Sequence, residues 1–187
     1  MSEERFKPQT LDEMPPEQRR AAEAIIGGPR GGMRGPFKAL LRSPELAEHA
    51  QLLGAYVRFR SSLPEPLKEL AILITGRHWT AQFEFYAHRK LALEAGLDPA
   101  IATAIAEGKR PAALSPAETA VYDFCTELLY TKQVSDTVFA AARECFGERG
   151  IIDLIGTVGY YSLVSMTLNV DRYNLPEGEK PPLKPLK

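Results

Sequence analysis

Apolar residues recur along this chain at the three- and four-residue spacing of amphipathic helices. No segment alternates convincingly between apolar and polar positions, and the β-branched residues are scattered rather than clustered. The pattern predicts an all-α fold, a helical bundle of about seven to eight helices.

Proline, glycine and capping residues set the expected limits of these helices. Ser43-Pro44-Glu45 begins a helix that runs to about Arg60, and Ser115-Pro116-Ala117-Glu118 is a capping box for a helix to about Tyr130. The other predicted helices cover about 15–26, a stretch from Leu67, 79–96, 98–108, 135–147 and 148–172.

The chain of 187 residues fits one domain, predicted over residues 15–174. Residues 1–14 are expected to form a flexible N-terminal arm, and the proline-rich residues 175–187 an extended tail. Five glycines between Gly27 and Gly35 predict an irregular loop, either a connector or a place where the backbone approaches another group closely. The loop lacks the strand–turn–helix context of a phosphate-binding loop, so nucleotide binding is rejected here.

Composition removes several functional classes. A net charge of −1 gives no support to nucleic-acid binding. Cys125 and Cys145 form no CxxC motif and are expected to be reduced and inert.

The apolar run from Ile151 to Val170 contains Asp153 and is expected to be a central bundle helix rather than a membrane span. The N-terminal residues do not resemble a signal peptide, so a cytoplasmic protein is expected.

Candidate chemistry concentrates between residues 69 and 88, where charged and titratable side chains interrupt apolar helical sequence. If one helix runs through this stretch, Arg77, Ala81, Glu84 and His88 lie on one face of it. Buried helix faces rarely carry such groups unless the groups are paired or used.

His88, with Glu84 one turn before it and Glu69 upstream, is a candidate for general acid–base catalysis, because a histidine titrates near neutrality. The alternative is a core histidine bonded to a carboxylate. Glu84 and His88 also have a metal-ligand spacing, with a third ligand to come from Glu69, His78 or His49, but no motif requires a metal and none is expected.

Three neighbouring residues have open roles. Arg77 is expected to hold a substrate carboxylate, unless it forms a structural ion pair with Glu69 or Glu84. His78 is either catalytic or bonded to a backbone carbonyl. Trp79 either lines a pocket or belongs to the core or a subunit interface.

The spacing Glu69-x(11)-Ala81-x(2)-Glu84-x(3)-His88 resembles the Glu-x(11)-Cys-x(2)-Cys-x(3)-His layout of the alkyl hydroperoxidase D-like proteins, which belong to the carboxymuconolactone decarboxylase family. The segments Lys68-Glu69-Leu70-Ala71 and Arg77-His78-Trp79 are similar to decarboxylase-like members without the cysteine pair. The resemblance covers most of residues 35–174.

The resemblance implies the alkyl hydroperoxidase D-like bundle and a homotrimer or a hexamer built from trimers. Ala81 and Glu84 replace both cysteines, so a thiol-based peroxidase cycle is not expected to carry over. What carries over is Glu69 and His88 as a proton-handling pair, joined here by Glu84, with His78 as a further catalytic candidate. Arg77, Trp79 and Ala81 are the expected substrate-binding residues.

The expected function is that of a cofactor-independent lyase, decarboxylase-like, acting on a small carboxylated lactone or related organic acid. Isomerisation or hydrolysis of a related lactone is nearly as well supported. The alternatives are an alkyl hydroperoxidase D-like oxidoreductase, disfavoured by the missing thiols, and a non-catalytic oligomeric small-molecule binder.

Overall fold

The computed structural model describes residues 3–28 and 31–185, which form eight α-helices and no strand. Pro29, in the glycine-rich segment, and the outermost residues of the arm and tail lie outside these ranges. The helices are α1 (Pro16–Ile26), α2 (Phe37–Leu40), α3 (Pro44–Phe59), α4 (Glu65–His78), α5 (Gln82–Glu94), α6 (Pro99–Ala106), α7 (Pro116–Thr126) and α8 (Asp136–Asp171). A 3-10 turn at Leu11–Glu13 precedes α1, and a π-helical turn at Glu127–Thr131 follows α7. The all-α prediction is confirmed.

Several predicted helix ends are found in place. The Ser115 side chain accepts from the Glu118 backbone N–H, and the Glu118 side chain accepts in return, which completes the capping box. The two helices predicted before and after Gly147 run on as α8, but Gly147 itself is non-helical, with φ 63° and ψ −179°. The sequence predicted a helix boundary at Gly147, and the structure has a kink within one long helix at that residue.

Helix α4 lies at the centre of the bundle and packs against α5, α6, α7 and α8. Every residue from Leu67 to Arg77 is buried. A helix buried on all sides brings its polar side chains into the core, where each needs a partner. Lys68, Glu69, Thr75 and Arg77 are these side chains.

Within the described residues, α8 is the one helix that is long and apolar enough to cross a membrane. More than half of its apolar window is buried inside the protein. Its Asp153 accepts hydrogen bonds from the Tyr56 hydroxyl and from the Ser62 backbone N–H and hydroxyl, at 2.7–2.8 Å. These contacts are those of a bundle helix.

Both ends of the chain contact the bundle. Asp171, at the end of α8, accepts from the Phe6 backbone N–H at 2.8 Å and pairs with Lys38 at 3.0 Å. Leu183 is buried in the core, and its backbone N–H and carbonyl form two hydrogen bonds with the Gln82 side chain, at 3.0 and 2.9 Å. The segments expected to be a flexible arm and an extended tail are thus held against the helices.

The chain turns sharply between α4 and α5. Thr80 has a left-handed backbone, with φ 50°, and the Ala81 N–H donates to the Gly76 carbonyl at 2.9 Å. The expectation of one continuous helical face from Arg77 to His88 is therefore wrong. The sequence predicted a new helix from about Trp79, but a positive φ is rare for a β-branched residue, so Thr80 did not predict the left-handed turn.

We expect Thr80→Gly to stabilise the protein by about 1 kcal/mol relative to Thr80→Ala, because only glycine adopts this backbone without strain. Urea denaturation of both variants and the wild type measures the difference. The control is Ala140→Gly, on an exposed turn of α8. At this helical position glycine should be less stable than alanine by about 1 kcal/mol, the reverse of the order expected at position 80. Equal stability of the two Thr80 variants would contradict the strain at this position.

Candidate functional site

Helices α4 and α5 bring Glu69, Glu84 and His88 into direct contact. His88 Nδ1 lies 2.7 Å from Glu69 Oε2, across the packed helices, and His88 Nε2 lies 2.9 Å from Glu84 Oε1, one turn away on α5. The exposed fractions of Glu69, Glu84 and His88 are 1%, 4% and 5%. The sequence placed these three residues together, and the structure joins them through the imidazole ring.

The two carboxylates hold a proton on the ring. Burial by itself lowers the pKa of His88, but the charge of Glu84 and the hydrogen bonds that the ring donates to both carboxylates outweigh burial and raise that pKa to about 9. At neutral pH both ring nitrogens carry hydrogen and donate.

Two further features distinguish the triad from a saturated structural network. Glu69 Oε1 is buried and has no hydrogen-bond partner among the described residues. The Tyr161 ring packs edge-on against the His88 ring, with centroids 4.9 Å apart. Burial, followed by the charges of Glu84 and Glu69, raises the pKa of the Tyr161 hydroxyl well above its ordinary value, so that hydroxyl stays protonated.

Glu84 and His88 line the wall of a cleft of about 290 Å³. Tyr161 and Val164 of α8 form another part of the wall, and Phe83 lies beside Gly35 from the glycine-rich loop. A Cβ on Gly35 would be 3.6 Å from the Phe83 ring, and φ at Gly35 is 72°. The Phe83 contact is an ordinary one, so it is the positive φ, and not lack of space, that favours glycine at the end of the loop.

Two arginines complete the cleft. Arg58, at the end of α3, and Arg34, in the loop before α2, line it together with Glu84 and His88. Buried Lys68 helps to hold Arg58, since its ammonium donates to the Arg58 carbonyl at 2.5 Å and pairs with Glu65 at 2.6 Å. In the sequence Arg58 reads as a solvated helix residue, and only its place at the end of α3, shortly before Leu63-Pro64, signals a surface facing α5.

Arg77 and His78 are not in this cleft, which corrects two expectations. Arg77 donates from Nη1 to the Lys184 carbonyl at 2.7 Å and pairs with neither Glu69 nor Glu84. The His78 ring packs against Tyr130, with centroids 4.7 Å apart, and burial followed by the charge of Lys132 lowers its pKa. The turn at Thr80 separates both residues from the face of α5 that carries His88.

Trp79 and Ala81 also lie elsewhere. The Trp79 carbonyl accepts from Asn169 Nδ2 at 2.7 Å, and its ring lines a different cleft of about 550 Å³ together with Tyr173. Ala81 is fully buried at the start of α5 and lines none of these clefts. The geometry therefore does not place either residue beside the triad.

The cysteines are remote from the triad. Cys125 is buried in the main core, where burial raises the pKa of its thiol, and Cys145 is exposed on α8. Neither lines the cleft of Glu84 and His88. Among the described residues, no group of three or more His, Cys, Asp or Glu side chains is arranged to hold a metal ion. Both ring nitrogens of His88 are already engaged by carboxylates.

No family model matches the chain, and no curated protein matches it. Its structure is similar to the crystal structure of an alkylhydroperoxidase AhpD core, an uncharacterized peroxidase-related protein from Ralstonia eutropha JMP134. The TM-score is 0.75 at 14% sequence identity, over 95% of this chain and 94% of that one. The chain thus has the alkyl hydroperoxidase D-like fold, as the residue spacing around Glu69 and His88 predicted.

We expect the free energy of unfolding to decrease as pH rises from about 6.5, the ordinary pKa of an unfolded histidine, to about 9, the pKa of His88 in the fold. Below this window both states bind the proton, and the contribution is complete. Within it the unfolded state releases the proton first, so stability is lost, on the order of 3 kcal/mol in total.

Chemical denaturation across this pH range tests the effect. Glu84→Gln removes a charge that holds the proton and should flatten the profile, whereas His49→Gln, at an exposed histidine, should leave it unchanged. A wild-type profile as flat as that of Glu84→Gln would show that His88 is not held protonated.

Proposed function

We propose that the protein is a cofactor-independent acid–base enzyme that acts on a small carboxylated lactone or related organic acid, with decarboxylation as the leading reaction. One observation carries the proposal: a protonated imidazole lies between two buried carboxylates at the wall of a cleft that also contains two arginines. Perturbed acid–base groups in a cleft mark functional sites more often than structural ones.

The arginines define the substrate class. Arg58 and Arg34 offer guanidinium groups that bind carboxylates through paired hydrogen bonds. Phe83 and Val164 supply apolar wall for a ring or short chain. A cleft of about 290 Å³ fits a small molecule with one or two carboxylates.

In the proposed decarboxylation, the bond between the carboxylate carbon and its neighbour breaks, and CO2 departs. The bonding electrons flow into the conjugated lactone carbonyl and produce a dienolate, which Arg58 stabilises by charge. The carbon then takes a proton from the triad, and solvent returns a proton to the protein. No oxidant, reductant or cofactor is needed for this balance.

Within the triad the three residues have different roles. Glu84 borders the cleft and exchanges the proton with the substrate. His88 is protonated at neutral pH and transfers its proton to Glu84 through the 2.9 Å contact between Nε2 and Oε1. Glu69 holds the other ring nitrogen at 2.7 Å and sets the orientation and protonation of the ring.

A thiol peroxidase is a weaker proposal for this chain. Such an enzyme needs an attacking thiolate beside the histidine, and Glu84 occupies that position. Any peroxide consumption that survives Cys125→Ser together with Cys145→Ser is not thiol-based.

We expect Glu84→Gln and His88→Ala each to lower kcat by about 10²- to 10⁴-fold, the usual contribution of a general acid–base group. Turnover is measured on a panel of small carboxylated lactones and dicarboxylic acids by following CO2 release and substrate loss. The matched control is Glu94→Gln, an exposed glutamate on the same helix, which should retain wild-type rates.

The arginine role is tested in the same assay. Arg58→Gln should both raise KM and lower kcat, because Arg58 binds the substrate carboxylate and stabilises the dienolate, while Arg89→Gln, exposed on α5, should change neither. Turnover unaffected by Glu84→Gln and His88→Ala would refute the assigned roles. Binding of acids without any turnover would favour the small-molecule binder instead.

We also propose that the protein is a homo-oligomer, either a trimer or a hexamer built from two trimers. Helices α3 and α8 expose large apolar side chains, and three of them, Leu46, Met166 and Val170, share one apolar groove. Ile155 lies on the same side of α8 as Met166, three turns earlier. Exposed apolar surface of this kind is typical of subunit interfaces.

Replacing both Met166 and Val170 with glutamate should shift the protein to smaller species in sedimentation velocity, because the charges oppose burial of the groove. Leu93→Glu, at an exposed apolar position on α5, is the control and should leave the distribution unchanged. A wild-type monomer at micromolar concentration would contradict the proposed assembly.

A further inference from the structure

Arg77 is a buried cation that pairs with no acidic side chain among the described residues. Its exposed fraction is 3%, and Nε has no hydrogen-bond partner among residues 3–28 and 31–185. Its one hydrogen bond in this part of the chain runs from Nη1 to the Lys184 carbonyl, at 2.7 Å. A buried guanidinium is normally paired with a carboxylate, because a lone buried charge is costly.

Two acidic residues lie next in sequence to residues of the cleft beside Arg77, and both are paired with other cations. Asp123 forms a bidentate pair with Arg110, and Glu107 pairs with Lys109 at 2.8 Å. Tyr130 is the one titratable neighbour that favours the charge on Arg77, while burial lowers the pKa of the guanidinium. Burial also raises the pKa of Tyr130, so its phenol stays neutral and does not supply the missing negative charge.

A cleft of about 330 Å³ opens beside Arg77. It contains the apolar side chains of Ile74 and Ile105, the rings of Tyr122 and Tyr130, and the ammonium-bearing Lys109. No acidic residue lines it. It shares no lining residue with the cleft of Glu84 and His88, so the two are separate.

We propose that this cleft is a second ligand site, which binds a small organic carboxylate with an apolar ring or chain. The carboxylate accepts hydrogen bonds from the Arg77 guanidinium and attracts Lys109, and the apolar part lies between the isoleucines and the tyrosine rings. The planar guanidinium matches a carboxylate in geometry as well as in charge. The bound anion supplies the charge that Arg77 lacks.

The proposal does not depend on the chemistry of His88. It assigns Arg77 a carboxylate, as the sequence suggested, but in a cleft of its own on the far side of the turn at Thr80. The Lys184 carbonyl bonded to Arg77 also connects the site to the C-terminal segment.

Titration calorimetry with benzoate tests the site, because benzoate combines one carboxylate with one apolar ring. We expect wild-type protein to bind benzoate and to ignore benzamide, its uncharged analogue. Arg77→Gln should weaken binding about tenfold or more, the effect of losing a hydrogen-bonded charge. Lys109→Gln, at an exposed lysine that does not risk the fold, should weaken it about threefold.

The controls separate this site from the acid–base cleft. Arg89→Gln should bind benzoate like the wild type. Arg58 lines only the cleft of His88, so Arg58→Gln should leave unchanged the binding event that Arg77→Gln and Lys109→Gln weaken. Circular dichroism confirms that Arg77→Gln is folded before its affinity is compared. Absence of benzoate binding, or binding that Arg58→Gln weakens and both Arg77→Gln and Lys109→Gln leave intact, would overturn the proposal.

Discussion

The burial of α4 on all sides from Leu67 to Arg77 is the constraint on which the rest of this structure depends. A helix surrounded by four others has no solvent face, so each polar side chain it carries must find a partner within the fold. Thr75 bonds to the Ala71 carbonyl of its own helix, and Lys68 reaches the end of α3. Glu69 meets His88, and Arg77 reaches the Lys184 carbonyl. The packing of α4 thus decides where both charged clefts lie.

The sequence predicted the helices well because capping boxes, N1 prolines and glycines are local signals. It also predicted the contact of Glu69 with His88, through the spacing shared with a known fold, and that of Glu84 with His88, through helical periodicity. It did not predict the turn at Thr80, because a left-handed backbone is rare for threonine. Because the chain turns at Thr80, Arg77, His78 and Trp79 lie away from the face of α5 that carries His88, where the sequence had placed them.

Arg58 and Tyr161 were missed for a different reason. Each belongs to a helix distant in sequence from the triad, and each is ordinary in its own segment, an arginine near a helix end and a tyrosine in an apolar run. Their place beside His88 follows from how α3 packs against α8 and α8 packs against α5, which local sequence does not encode. Side chains contributed by tertiary packing are the part of a site that single-sequence reasoning reaches least.

Arg77 is buried without an acidic partner among the described residues, and the fold offsets only part of the cost of its charge. It lies in the last turn of α4, where the partial negative charge of the helix C-terminus favours a cation. Typically this interaction is worth about 0.3–1 kcal/mol, which is less than the cost of burying an unpaired charge. The helix dipole alone therefore does not account for Arg77, and neither does its one hydrogen bond to Lys184. An anion in the cleft beside Arg77 closes that gap. In the cleft of His88, Arg34 and Arg58 lie beside Glu84 and offer the positive charge that the proposed carboxylated substrate requires.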